Sequence, residues 1–328
     1  MRKVLGMGNA LTDILFQIEN DDILGKLNLV KGGMQLIQNE QSEQIKSHFT
    51  PSAATMATGG SASNTINGIA KLGLESGFIG KVSNDEIGRF FSDNSLENGV
   101  TPHMQISETP SGHCTILVSP DSERTLCTYL GAASELYAKD LNPEVFNGYH
   151  YFHIEGYLVQ EHDLIRTALK MAKEAGLTTS IDLASFNVVK ENLDFLHEIT
   201  EKYVDITFAN EDEAHVFTGK KPLEAVQEIA KMSKIAVVKI GKDGSYVQSG
   251  DQFHVIEPNL VKSVDTTGAG DLYASGFLFG LANDYPLDVC GKIGSFVSSK
   301  VVEVIGTKMS EETWAEIAEK VEEFTSVG

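Results

Sequence analysis

The chain has 328 residues, 41% apolar and 22% charged, with 46 acidic against 26 basic side chains and a formal charge of −20. That is an ordinary composition for a globular protein with one large core, or one core plus an appendage. A surface this acidic opposes nucleic acid and anionic membrane, so neither is an expected partner.

Asn9 and Asp13 interrupt the apolar run behind Arg2-Lys3 too early for a signal peptide, and no stretch reaches membrane-spanning length. Cys114, Cys127 and Cys290 have no paired spacing. A disulfide framework or zinc site is therefore not expected, and a reducing, cytoplasmic setting is. The nine histidines show no metal-ligand spacing either.

Residues 4–8 read as a buried strand entering a glycine turn. Gly6-Met7-Gly8 begins like a dinucleotide-binding turn, but Leu11 stands where its third glycine belongs. A nicotinamide-type oxidoreductase is thus only the remote alternative, and a tight turn after a core strand the better reading. Asn9 and Asp13 follow, four apart. An amide and a carboxylate suit a polyhydroxy ligand, because each can bind neighbouring hydroxyls, and they also suit plain turn chemistry. Residues 11–18 and 32–37 read as short strands. A second glycine pair, Gly59-Gly60, enters a helix over 61–72, with Asn64 in its first turn and Gly73 as C-cap. Residues 77–82 read as a strand and 86–98 as a helix.

Residues 112–118 and 124–130 are β-rich around the turn cluster Ser119-Pro120-Asp121-Ser122-Glu123, a hairpin with no helix between its strands. Arg124 opens its second strand; an Arg there is ordinarily an exposed solubility residue. From about residue 150 strands and helices alternate. The chain is therefore expected to be an α/β protein, a mostly parallel sheet covered by helices on both faces. The β-only pieces do not fit that sheet and read as a small inserted lid. The expected division is 1–10, 46–102 and 132–328 for the α/β domain, and 11–45 and 103–131 for the lid.

Three strand ends in the second half carry polar clusters. Asn210-Glu211-Asp212-Glu213 stands at the carboxyl end of a predicted strand, where ligands bind in open α/β sheets. Lys239-Ile240-Gly241-Lys242-Asp243-Gly244 ends another and also reads as a hairpin turn. Residues 261–264 are expected as a strand joined to a helix by Asp265-Thr266-Thr267-Gly268-Ala269-Gly270-Asp271. Small residues at a helix start let a phosphate approach unpaired N–H groups. A carboxylate beside an anion site makes sense if it takes a proton from whatever attacks that anion. The helix start is expected to lower the Asp271 pKa, leaving it ionised but a feeble base. The Walker phosphate loop is absent.

With Gly268-Ala269-Gly270-Asp271 and Gly59-Gly60 in place, the chain resembles the ribokinase-like (PfkB) family of sugar and nucleoside kinases over nearly its whole length. The resemblance implies a ribokinase-like fold with a β lid. It implies transfer of the γ-phosphate of ATP, with Mg2+, to a primary hydroxyl of a small-molecule sugar or nucleoside. Asp271 would be the catalytic base, with the N–H groups of Gly268, Ala269 and Gly270 as the anion hole. Asp13, Gly60 and Asn64, with Asn9 and Gly59 beside them, would hold the acceptor. Asn210, Lys239, Gly241 and Gly244 would line the nucleotide, Glu213 would lie near magnesium, and Arg124 would reach the γ-phosphate. Gly306 and Ser310 match positions that, with Asp265 and Thr267, hold a monovalent cation in ribokinase, so K+ is a candidate activator.

Residues 6–14 and Gly59-Gly60-Ser61-Ala62-Ser63-Asn64 look like the adenosine-kinase branch; the ribokinase branch has Lys at the third position of the latter. Gly156-Tyr157-Leu158 offers one ring where nucleoside-kinase relatives offer two. An adenosine-like acceptor is slightly preferred, with a free sugar (ribose, fructose or a sugar acid) as the alternative. A non-catalytic binding protein of the same fold is disfavoured by Asp271 and Glu213. Lids in the family pair in some members and not in others, so a monomer and a homodimer are both open.

Overall fold

The computed structural model describes residues 2–50, 54–121 and 123–326. Ser122 of the lid turn, and residues 51–53 of the expected 46–102 segment, lie outside the described residues.

Strands β1 (Val4–Met7), β9 (Tyr151–Glu155) and β11 (Ile206–Asn210) are buried almost throughout, as strands covered on both faces must be. They belong to a nine-stranded sheet with β5 (Ser76–Ser83), β6 (Val100–Ser107), β10 (Thr178–Asp182), β12 (Ile235–Lys239), β13 (Ser245–Ser249) and β14 (Gln252–Ile256). Its order is β14-β13-β12-β11-β10-β9-β1-β5-β6. All pairings from β12 to β6 are parallel, and β13 and β14 close the other edge as an antiparallel ladder.

The second sheet holds β2 (Leu11–Gln17), β3 (Met34–Leu36), β4 (Thr55–Gly59), β7 (His113–Val118) and β8 (Arg124–Tyr129), in the order β3-β8-β7-β2-β4. It is the lid. One of its faces packs Ile14, Phe16, Leu117 and Cys127 against helices α1 (Asp22–Lys26) and α2 (Asn39–Lys46). The other face carries Leu11, Asp13, Cys114 and Ile116 toward the large domain's cavity.

The remaining helices are α3 (Ser61–Lys71), α4 (Glu86–Glu97), α5 (His162–Glu174), α6 (Phe186–Glu191), α7 (Leu193–Tyr203), α8 (Glu211–Thr218), α9 (Pro222–Met232), α10 (Ala269–Ala282), α11 (Leu287–Val301) and α12 (Glu311–Ser326). One face of the large sheet is covered by α5 to α9, the other by α3, α4, α10 and α11. Among the described residues no helix is long and apolar enough to cross a membrane.

Sheet membership differs from the expected division in two places. The β5–β6 ladder continues through Ser107, so residues 103–107 stay with the large sheet. Residues 55–59 pair with β2, so β4 belongs to the lid. The expected strand over 261–264 does not form. The β13–β14 ladder already completes that edge, and the segment hangs on α11 instead, with Val264 and Asp265 N–H donating to the Val302 carbonyl at 2.7 and 3.3 Å. β1 runs directly into the lid strand β2 and no helix follows it, which removes the dinucleotide-turn reading of Gly6 and Gly8.

Candidate active site

The carboxyl ends of the parallel strands, the lid and the start of α10 enclose a cavity of about 760 Å³, within the range of small-molecule sites.

Gly268 caps α10 in the left-handed conformation (φ 74°), and a Cβ there would also strike Thr307. The Ala269 N–H is engaged by the Thr266 carbonyl at 3.2 Å, so of the three expected hole donors it is the one already spoken for. Among the described residues no protein acceptor is recorded for the N–H groups of Gly268, Gly270 and Asp271. These three are the open donors of the helix start.

The other glycine turn is filled. Gly60 (φ 95°) caps α3, and a Cβ on it would lie 2.3 Å from the Asn9 carbonyl. The buried Glu155 carboxylate accepts from Ala62 N–H at 2.8 Å and from both the N–H and the side-chain amide of Asn9, at 2.9 and 2.7 Å. The start of α3 is thus already filled by a carboxyl group of the protein's own, and α10 is the helix start left for a phosphate. Burial pushes Glu155 up to about 7 against those three donors. Asn9, spent on Glu155, and Gly59, behind Asp13, are not on the cavity wall. Gly59 serves by lacking a side chain, since a Cβ there would overlap the Asp13 carboxylate.

Asp271 lines the cavity with both oxygens held. Ser61 Oγ donates to Oδ1 at 2.7 Å and Asn64 Nδ2 to Oδ2 at 2.9 Å. The expectation of a lowered pKa is overturned. Burial pushes Asp271 up to about 6, outweighing the Asn64 and Ser61 donors, with Asp182 pushing the same way and Lys239 opposing. Desolvation beats the helix start because protein packs closely around this half-buried carboxylate at the cavity wall. Asp13, across the cavity on β2, is likewise raised to about 6 by burial, with Arg124 lowering it and Asp271 raising it.

Beneath the α10 turn, Lys239 Nζ lies 2.7 Å from Asp182, and a Cβ on Gly270 would come within 2.8 Å of it. Burial pulls this ammonium down, but Asp182 and Glu213 outweigh it and the group ends above its ordinary value, firmly charged. Asn210 and Glu213 form a capping box: Asn210 Oδ1 accepts from Glu213 N–H, while Glu213 accepts from the Asn210 N–H and side-chain amide at 2.8 and 2.6 Å. Asn210 faces the cavity and Glu213 is buried, which with Asp182 holds its carboxyl well above the usual range. Gly241 and Gly244 bracket the β12–β13 hairpin and line the cavity, so the turn and the site coincide.

Arg124 is no solubility residue. It is buried on the lid strand β8 and ion-pairs through Nη1 with Asp265, while its Nε and Nη2 find no partner among the described residues. Asp265 also accepts from Thr267 N–H at 2.9 Å and Gly306 N–H at 2.8 Å, and these donors with Arg124 hold its carboxyl low against burial. The Ser310 hydroxyl accepts instead from Thr313 N–H in the first turn of α12.

Sequence reasoning missed Asp182, Ser61 as a partner of Asp271, and Glu155. Asp182 sits at the carboxyl end of β10, the one signal that could have drawn attention to it. Its Oδ1 accepts from Ala184 N–H at 3.0 Å and steadies Ala184 in the left-handed region (φ 71°).

A helix-start anion site facing a base-like carboxylate under a β lid, on this fold, defines a phosphotransferase with an alcohol acceptor. The pfkB family carbohydrate kinase profile matches residues 26–314, and the chain belongs to that family, whose kinases use ATP. It is 32% identical to a 5-dehydro-2-deoxygluconokinase from Shouchella clausii over 293 residues, 82% of this chain and 87% of that one. Adenosine kinase from Sinorhizobium meliloti is 32% identical, covering 97% of this chain and 99% of its own, at a TM-score of 0.86. Adenosine kinase from Anopheles gambiae, solved with P1,P4-di(adenosine-5) tetraphosphate, is 26% identical, covering 95% and 97%, at a TM-score of 0.78.

Proposed function

We propose that this kinase phosphorylates the primary hydroxyl of a neutral nucleoside, adenosine-like, with ATP as donor. The observation that carries the choice is the charge and polarity of the cavity. Six carboxylates line it (Asp13, Asp182, Glu211, Asp212, Glu213, Asp271) against three cations, Arg124, Lys239 and Lys242. Arg124 and Lys239 are already held by aspartates. A sugar acid brings a carboxylate into the cavity that Asp13 and Asp271 line, and among the described residues the lining cation on the lid side, Arg124, is already held by Asp265. The lid wall of Leu11, Cys114, Ile116 and Leu126, with Tyr157 also on the cavity, suits the flat apolar face of a base. The names of the gluconokinase relatives favour the rival, a sugar acid.

In this reading the acceptor hydroxyl donates to Asp271, which takes its proton as oxygen attacks the γ-phosphorus. A carboxyl near 6 is mostly ionised at neutral pH and a better base than an ordinary one. The N–H groups of Gly268 and Gly270 and the buried Lys239 stabilise charge on the transferring phosphoryl group. Arg124 lines the cavity from the lid and adds positive charge for the phosphate, and the lid excludes water.

Bound magnesium would supply positive charge against the nucleotide phosphates. Among the described residues no three His, Cys, Asp or Glu side chains form a metal cluster, and both Glu213 oxygens already accept from Asn210. Glu213 and Asn210 therefore fit magnesium through its water shell, as that ion prefers. Asp265 is already met by Arg124, which weighs against a potassium requirement. The reading is tested by coupled assays of ATP-dependent phosphorylation of adenosine, inosine, ribose, fructose and 5-dehydro-2-deoxygluconate. Adenosine should be turned over with the highest kcat/KM.

A further inference from the structure

The first turn of α3 presents Ser61, Asn64 and Thr65 on one face, at the i, i+3, i+4 spacing, and all three side chains bond to Asp271. Ser61 Oγ donates to Oδ1 at 2.7 Å, Asn64 Nδ2 to Oδ2 at 2.9 Å, and Thr65 Oγ1 to the Asp271 carbonyl at 3.1 Å. One turn further on, Gly68 lets α10 close in, since a Cβ there would lie 2.4 Å from Ser275 Oγ. Thr307 donates to Asn64 Oδ1 at 3.3 Å, which fixes the amide with its NH2 toward Asp271. The two helices are thus docked through the base itself.

We propose that Ser61 is a positioning residue for Asp271: its hydroxyl fixes the rotation of the carboxylate so that the free lone pair of Oδ1 faces the acceptor. This rests on the kinase reading above only for its consequence, because the contact exists without substrate. Each carboxylate oxygen has two lone pairs. Ser61 takes one on Oδ1 and Asn64 one on Oδ2, leaving a defined direction for an incoming hydroxyl. An alcohol donating at 2.7 Å is also the geometry the acceptor must reach, so Ser61 shows that Asp271 can accept from an alcohol in this cavity. Ser61 itself lines the cavity, close enough for the acceptor to feel its removal.

A bond donated to the charged form favours ionisation, so losing it raises the Asp271 pKa further above 6. The other groups that bear on Asp271 are Asp182, Lys239, Asp13, Glu155 and Tyr157, and they are untouched by a change at residue 61.

The test titrates Asp271 directly by carboxyl 13C NMR of protein labelled at aspartate, the signal being assigned by its absence in Asp271→Asn. Ser61→Ala should move the Asp271 midpoint up by roughly one pH unit, and Ser61→Thr, which keeps the hydroxyl, should restore it. In turnover, the acid limb of the kcat–pH profile should move the same way in Ser61→Ala, with kcat down roughly tenfold and return in Ser61→Thr. An unchanged midpoint in Ser61→Ala, or a Ser61→Thr variant displaced as far as Ser61→Ala, overturns the proposal. The titration needs no substrate. A kinase reading that fails on acceptors therefore shows itself as absent turnover beside a shifted midpoint, distinct from a failure of the proposal.

Discussion

Asp271→Asn should abolish turnover and make the protein more stable at the same time. The carboxyl is raised from 3.8 to about 6 by burial, so ionising it in the folded state costs free energy. Each pH unit between those values is worth ~1.4 kcal/mol, giving an upper figure of ~3 kcal/mol. The group lines an open cavity, which screens it, so about 1–2 kcal/mol is expected. The sign follows from linkage. Between the unfolded and folded pKa values the native state binds more protons, so the wild type loses stability as pH rises from about 4 through about 6. The neutral amide lacks that loss. The gap between variant and wild type should therefore be absent near pH 4 and full above pH 7. For a chain of 328 residues that gap is about 2 °C in Tm. The amide also fits: its oxygen keeps the Asn64 bond, and the Ser61 hydroxyl rotates to accept from its NH2. Turnover should fall by at least ~10²-fold. The assay pairs thermal unfolding at pH 4.5, 6 and 8 with kcat at pH 8. Turnover within tenfold of wild type, or a variant less stable at pH 8, would refute the assignment of Asp271 as a buried, strained base.

Gly270→Ala places a methyl 2.8 Å from Lys239 Nζ, at the mouth of the anion hole. It should fold normally by circular dichroism and lose roughly 10²-fold in kcat. Arg124→Gln removes the buried partner of Asp265, which keeps its Thr267 and Gly306 donors. Denaturant unfolding should show a loss of about 3 kcal/mol, the low end for a broken buried pair, and kcat/KM for ATP should fall. Glu213→Gln should raise the magnesium needed for half-maximal rate several-fold without abolishing activity, as expected for a ligand acting through water. An unchanged magnesium titration would count against that role.

What could be read from the sequence divides along contact distance in the chain. The alternating elements after residue 150 and the Gly268–Asp271 turn are local patterns, and local patterns set helix starts, strand burial and the lid hairpin. The contacts that tune the chemistry span long separations. Ser61 and Asp271 stand 210 residues apart, Asn9 and Glu155 stand 146 apart, and Arg124 and Asp265 stand 141 apart. Nothing in the sequence around Glu155 distinguishes it from any acid at the end of a strand; only the fold brings the α3 start onto it. The Asp271 pKa is out of reach of the sequence for the same reason, since helix position is local while burial is a property of the assembled core. From its hairpin position alone Arg124 reads as a surface residue, because a hairpin usually faces water, whereas the resemblance already points it at the γ-phosphate; this hairpin closes over a cavity.

ATP-dependent phosphorylation of a neutral nucleoside hydroxyl is measured by kcat/KM across matched acceptors at saturating ATP and magnesium. Adenosine should exceed ribose, fructose and 5-dehydro-2-deoxygluconate by at least roughly tenfold, the discrimination one well-fitted apolar contact can supply. A higher kcat/KM for 5-dehydro-2-deoxygluconate than for adenosine would rule out a neutral nucleoside as the preferred acceptor, because the cavity would then be selecting a carboxylate beside Asp13 and Asp271.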